Sequence, residues 1–240
     1  MQPWTDLAGD PATGLLLIAD HASDRVPAEV RLGVPSDVMR EHVAIDIGVA
    51  PLSEAICRAL GCPGMLGGVS RLVIDLNREV DSAGLIPAVS DGHAIPGNDS
   101  LTAADRARRI TAYWQPYHAR IAELIARHGP KLLLSLHSFT PHLRQGGTPR
   151  PWEVGVLYNR DERAPHLALP LFEEAGIVAG DNLPYSGRVL NATMNRHGEA
   201  NGIAYLGLEV RQDLIGGEAG VARWAARLAP IIATVAERLT

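Results

Sequence analysis

The chain has 240 residues, enough for one medium-sized domain to bury a core without disulfides or structural metals. Its 46% hydrophobic and 20% charged residues are the balance of a globular protein, which excludes a disordered or fibrous chain. Its 22 basic against 27 acidic residues give a net charge of −5, which offers no general attraction for nucleic acid or an anionic membrane. No apolar run approaches the roughly 18 residues of a membrane span. The early run at 15–19 is too short for a signal-peptide core and no basic segment precedes it. Cys57 and Cys62 lack the spacing of a metal-binding pair and read as packing residues, so a reducing, cytoplasmic setting is expected.

In chain order, residues 1–12 contain Pro3, Gly9 and Pro11 and read as an irregular lead-in. Residues 14–20 form an apolar run of strand length that delivers His21. Leu52, Ile56, Ala59 and Leu60, with Pro51 near the start and Gly61 as the stop, predict a helix over 45–60. A second strand is expected within 65–75, clearest at 72–74, leading to Asp75, Asn77 and Arg78. Thr102 and Asp105 resemble a capping box. Behind them Ala107, Ile110, Trp114, Tyr117, Ile121 and Leu124 recur at helical spacing, predicting a long amphipathic helix kinked at Pro116 and ended by Gly129 and Pro130. Strands follow at 131–136, 152–158 and 204–210, with a helix at 165–174 and a last helix from about 218 to 239. The alternation of strands and helices predicts a single α/β domain over 1–240, with a mostly parallel sheet covered by helices on both faces.

Ligands of such sheets bind beyond the carboxyl ends of the strands, and three of these strands end in His21, His137 and Glu209. His21 and Asp24 lie three residues apart in a tight segment, and with His137 they supply two nitrogens and one carboxylate. Such a set leaves an open position for water on a catalytic zinc ion. Glu209 suits proton transfer between that water and a leaving nitrogen. Each residue also has a plainer reading: a strand-end histidine is commonly a structural hydrogen-bonding group, and Glu209 has Arg211 two residues away as a partner. Arg71 and Arg78 flank Asp75, and arginine forks bind carboxylates. An Arg71–Asp75 structural ion pair is the alternative.

The segments His21-Ala22-Ser23-Asp24-Arg25-Val26-Pro27, Asp75-Leu76-Asn77-Arg78, Pro116-Tyr117-His118, Ser135-Leu136-His137-Ser138, Pro184-Tyr185-Ser186-Gly187, Arg196-His197-Gly198 and 208–213 together resemble the N-formylglutamate amidohydrolase family. They occur in order across most of the chain. That family is similar to zinc carboxypeptidases and aspartoacylase, which implies a zinc-carboxypeptidase or phosphorylase/hydrolase-like fold. The resemblance implies one zinc ion per chain on His21, Asp24 and His137, with Glu209 as base and then acid. It further implies that Asn77 and Arg78 hold a substrate carboxylate, and that Arg71 polarises the scissile carbonyl or adds a second anchor. Tyr185, His197 and Arg211 fall in family motifs and are taken as substrate-binding candidates, whereas His118 and Ser186 receive no role. The implied reaction is hydrolysis of a small N-acyl amino acid, N-formyl-L-glutamate first, in amino-acid metabolism. Another N-acylated acidic compound, a short peptide, or binding without turnover are the alternatives.

Overall fold

The computed structural model of the protein describes residues 2–143, 146 and 149–239. Its elements are β1 (Trp4–Leu7), β2 (Leu15–Ala19), α1 (Val49–Leu60), β3 (Gly64–Gly67), β4 (Val89–Ser90), β5 (His93–Ala94), α2 (Pro96–Asp99), α3 (Ala103–Arg109), a π-helical turn (Ile110–Trp114), α4 (Gln115–His128), β6 (Leu132–Phe139), β7 (Val154–Leu157), α5 (Arg163–Glu174), β8 (Ala179–Asp181), α6 (Ala192–His197), β9 (Ala204–Arg211) and α7 (Glu218–Arg238). Among the described residues seven strands make one mixed sheet in the order β1-β3-β2-β6-β9-β7-β8. β3, β2, β6 and β9 are mutually parallel. β1 runs antiparallel at one edge, and β7, antiparallel to β9, carries β8 in parallel at the other.

Every residue of β2 and β6 is buried, as expected of apolar runs in a parallel sheet covered on both faces. α7 packs against α1 and α5, α1 against β2, β3 and β6, and α5 against β7, β8 and β9. Val221, Trp224, Leu228, Ile232 and Val235 form the buried face of α7, at the spacing read from the sequence. α4 packs instead on α6. Cys57 and Cys62 are free and buried, in line with packing roles. Among the described residues no helix is long and apolar enough to cross a membrane.

The structure adds β4, β5, β8, α2 and α6, for which the sequence offered no expectation, and departs from what was expected elsewhere. The lead-in holds an edge strand, β1, whose central Thr5 and Asp6 are exposed, so it carries no apolar pattern. The second strand is Gly64–Gly67, while the apolar stretch at 72–74 is a buried turn in which the N–H groups of Val73 and Ile74 bond to the Ser70 carbonyl. α1 starts at Val49 because Gly48, at φ 80°, turns the backbone left-handed; Gly61, at φ 68°, closes its other end. Ahead of Pro116 the long helix widens into the π turn, where the N–H of Gln115 bonds to the Ile110 carbonyl. Pro116 has no N–H for the normal bond to residue 112, so the α ladder is interrupted there in any case.

Candidate active site

β2, β6 and β9 point their carboxyl ends the same way and deliver His21, His137 and Glu209 to one region. His137 on β6 is in register with Glu209 on β9, and Glu209 with Gly155 on β7. A Cβ at Gly155 would lie 2.5 Å from the Leu183 carbonyl oxygen and 3.3 Å from the Glu209 Cβ. Glycine there lets the loop leading to Tyr185 close over Glu209. The fourth component is Asp46, in the turn before α1. Its N–H bonds to the His21 carbonyl (3.0 Å), while the Ser70 and Ser138 hydroxyls donate to the flanking Ala44 and Ile47 carbonyls (2.8 and 2.9 Å).

The two imidazoles converge on one oxygen: the Nδ1 atoms of His137 and His21 lie 2.9 and 3.4 Å from Asp46 Oδ2. Their other nitrogens face separate acids. His21 Nε2 is 2.7 Å from Asp75 Oδ1, and His137 Nε2 is 3.2 Å from Asp20 Oδ2. Arg71 clamps the far oxygens of two of these acids, with Nη1 3.1 Å from Asp46 Oδ1 and Nη2 2.9 Å from Asp75 Oδ2. The adjoining cavity is about 170 Å³, lined by His42, Arg71, Asn77, Arg78, Tyr185 and Glu209 together with the cluster itself. A roomier groove beside α3, about 1010 Å³, contains none of these groups.

Charge is concentrated here. Burial works to raise Asp46, yet His21, His137 and Arg71 hold its carboxyl well below the usual range. Burial likewise opposes ionisation of Asp75 and Asp20; His21 and Arg71 outweigh it at Asp75, and His137, His21 and the Tyr117 hydroxyl outweigh it at Asp20. Glu209 behaves differently: burial pushes it up to about 7, more than His137 and Arg71 offset, and its Oε2 has no hydrogen-bond partner among the described residues.

Among the described residues His21 Nδ1 is buried without a hydrogen-bond partner, and the donor atoms of His21, Asp46 and His137 lie within 4.8 Å of one another. Two neutral imidazoles and a carboxylate suit zinc, and a carboxylate behind each ring is the arrangement that orients a ligating histidine. With both imidazoles neutral as ligands, Asp46, Asp75 and Glu209 share Arg71 as a cationic neighbour, a surplus of negative charge that a divalent ion neutralises. The residues present therefore fit such an ion.

The expected residues divide as follows. His21, His137, Glu209, Arg71, Asn77, Arg78 and Tyr185 all line the pocket. Asp24 does not: it is exposed, and its place beside the histidines is taken by Asp46. After His21 the chain is not helical, so a spacing of three does not return a side chain to the same side. Arg25 instead ties the loop to the carbonyls of Gly68 and Gln2. Arg211 lies farther along β9 and is spent on Asp213 (2.8 Å) and the carbonyls of 150–152. His197 is buried behind the site, stacked on His118 at 5.2 Å between ring centroids. Arg71 does pair with Asp75, as its alternative reading held. Asp46 and His42 were not singled out in the sequence. The available signal for Asp46 was an acid inside the apolar run Val43-Ala44-Ile45-Asp46-Ile47.

A mostly parallel sheet that gathers two imidazoles, a carboxylate and a buried glutamate at its strand ends defines an α/β protein with a polar site where such sheets bind ligands. The sequence comparison gives the family directly. The chain belongs to the N-formylglutamate amidohydrolase family, whose model matches residues 13–216. It is similar to an N-formylglutamate deformylase of Pseudomonas aeruginosa, at 30% identity over 152 residues; the match spans 56% of this chain and 56% of that relative. A crystal structure of a gene product from Agrobacterium tumefaciens superimposes with a TM-score of 0.92 at 30% identity, covering 99% of this chain and 96% of its own. The N-formylglutamate amidohydrolase of Ralstonia eutropha shares the fold, with a TM-score of 0.78 at 24% identity over 100% of this chain and 98% of its own.

Proposed function

We propose that the protein hydrolyses the amide bond of an N-acyl amino acid, N-formyl-L-glutamate to L-glutamate and formate being the reaction to test first. We assign one zinc ion per chain to His21, Asp46 and His137. The observation that carries this reading is the opposed use of the ring nitrogens: Nδ1 of both histidines turns to Asp46, and Nε2 of both turns to a buried carboxylate. Zinc bound there would lower the pKa of water toward about 7 and polarise a carbonyl. Glu209, beside His137 across the β6–β9 pairing, takes the proton of the attacking water and returns it to the leaving nitrogen.

Arg78 anchors a substrate carboxylate: its Nε lies 3.9 Å from Asp75 Oδ2, too far for a hydrogen bond, so its fork is open to a ligand. Asn77 accepts the Thr193 N–H on Oδ1 (2.9 Å), which leaves its amide N–H groups for the same carboxylate. The Tyr185 hydroxyl accepts from Arg150 (3.0 Å) and has its own proton to donate. Arg71, through N–H groups not spent on Asp46 and Asp75, steadies the developing oxyanion. A cytoplasmic role in amino-acid metabolism accords with this substrate.

The test is metal content and formate release on one preparation, with and without added zinc. Zinc near one per chain with zinc-dependent formate release supports the reading; bound zinc without formate redirects it to other N-acyl acids. Glu209→Gln should keep its zinc while turnover falls by about 10²–10⁴-fold. Near-normal turnover in that variant would remove Glu209 from the mechanism.

A further inference from the structure

Asp20 plays no part in the chemistry just described and does not line the pocket, yet it is a 0% exposed acid directly behind a proposed ligand. We propose that Asp20 is a positioning residue, which holds His137 in the Nε2–H form and so leaves the Nδ1 lone pair for the cation; this rests on the zinc reading above. Its Oδ1 accepts two hydrogen bonds, from the hydroxyls of Tyr117 on α4 (2.8 Å) and Thr193 on α6 (2.9 Å). Neither hydroxyl reaches Oδ2, which among the described residues is buried without a hydrogen-bond partner, 3.2 Å from His137 Nε2, itself buried and otherwise unpartnered among them. An ion this deep is tolerated only when paired and hydrogen-bonded, and His137 is the partner left to it. Tyr117 and Thr193 are both 0% exposed, so two elements outside the sheet fix the carboxylate from behind.

A purely structural role would need only an acceptor for the two hydroxyls, which asparagine supplies. The positioning role needs a second acceptor on the His137 side. In Asp20→Asn the amide oxygen stays with Tyr117 and Thr193, and the amide N–H groups turn toward Nε2. The ring must then present a lone pair there and carry its proton on Nδ1, the atom meant for the metal. Thr193 also links this support to the substrate side, because its N–H holds Asn77. Thr193→Val deletes the hydroxyl without touching that bond.

The experiment measures zinc affinity by competition with a chromophoric chelator, on the full chain, for wild type, D20N, Y117F, T193V and T193S. Circular dichroism checks the fold of each. D20N should bind zinc about 10–100-fold more weakly, the usual cost of losing a carboxylate behind a ligating histidine. Its cobalt-substituted form should show a shifted visible spectrum. Y117F and T193V should each show a smaller loss, and T193S should restore wild-type affinity. A folded D20N that binds zinc within twofold of wild type overturns the positioning role and leaves the zinc reading standing. If D20N does not fold, unchanged affinity in both Y117F and T193V overturns it equally. A wild-type chain that binds no zinc refutes the zinc reading, and this inference with it.

Discussion

The His118–His197 pair behind the active site makes acid stability a test of the packing around α4 and α6. His118 Nε2 faces the Leu76 carbonyl at 3.0 Å and therefore carries the proton; its Nδ1 must then accept from His197 Nε2, 2.9 Å away. Both rings are neutral in this arrangement. Burial, with His197 beside it, pushes His118 down to about 3 against the pull of Asp20. Burial pushes His197 down to about 4, Arg196 adding to the effect and Asp20 again opposing it. An unfolded histidine takes up a proton near pH 6.5, so between about pH 4 and 6.5 the unfolded chain binds protons that the folded chain refuses. The pair's contribution is fully present above pH 6.5 and is lost as pH falls. At pH 5, 1.5 units below the unfolded value, each ring accounts for about 2 kcal/mol and the pair for about 4 kcal/mol. Urea unfolding with chelator present, at steps from pH 7.5 to 5, should show this slope in wild type. It should be missing from H118Q/H197Q, whose amides imitate the donor and acceptor without titrating. Parallel stability profiles for the two proteins would refute the reasoning.

Asp46→Asn should abolish stoichiometric zinc binding, whereas Asp24→Asn, at an exposed position, should leave zinc content and formate release unchanged; atomic absorption and a formate assay decide between the two acids. Arg78→Lys keeps the charge but loses the fork, and KM for N-formyl-L-glutamate should rise about tenfold or more with a smaller change in kcat, since a charge-assisted hydrogen bond is worth about 1.5–3 kcal/mol. Trp114→Phe removes the Nε1 donor to the Arg78 carbonyl (3.0 Å). Unfolding should show a loss of about 1–2 kcal/mol, and KM should rise as Arg78 loosens.

The parts of this protein that were legible in the sequence are those where burial and periodicity act along one continuous segment. β2 and β6 are apolar because both faces are covered, and α7 repeats its stripe over the whole helix; all three lie where expected. Likewise the shared location of His21, His137 and Glu209 was readable, because each closes or follows an apolar strand of the same parallel sheet. Asp24 shows where this fails. Spacing from His21 points to Asp24 and gives no sign of Asp46: the backbone bond from Asp46 to the His21 carbonyl joins segments 25 residues apart, and no local pattern encodes that closure. Arg211 and His197 were drawn in by their motifs, yet their hydrogen bonds serve β7's approach and the α4–α6 contact. β1 is short and half exposed at a sheet edge, so neither period marks it.

The π turn has a consequence for how this helix can vary. Arg109 and Trp114 are five residues apart, and both donate to carbonyls of the same loop, at Val73 (2.9 Å) and Arg78 (3.0 Å). In an unbroken α-helix two such residues would stand about 140° apart around the axis, at 3.6 residues per turn. The extra residue in the turn brings them to a common side, while Tyr117 and His118 beyond it still reach Asp20 and Leu76. One helix thus grips the 73–78 loop at its upstream end and the Asp20 carboxylate behind His137 at its downstream end. Deleting a single residue from 110–114 would restore a regular helix and break the alignment between those two grips, so the length of this segment sets which contacts the helix can make.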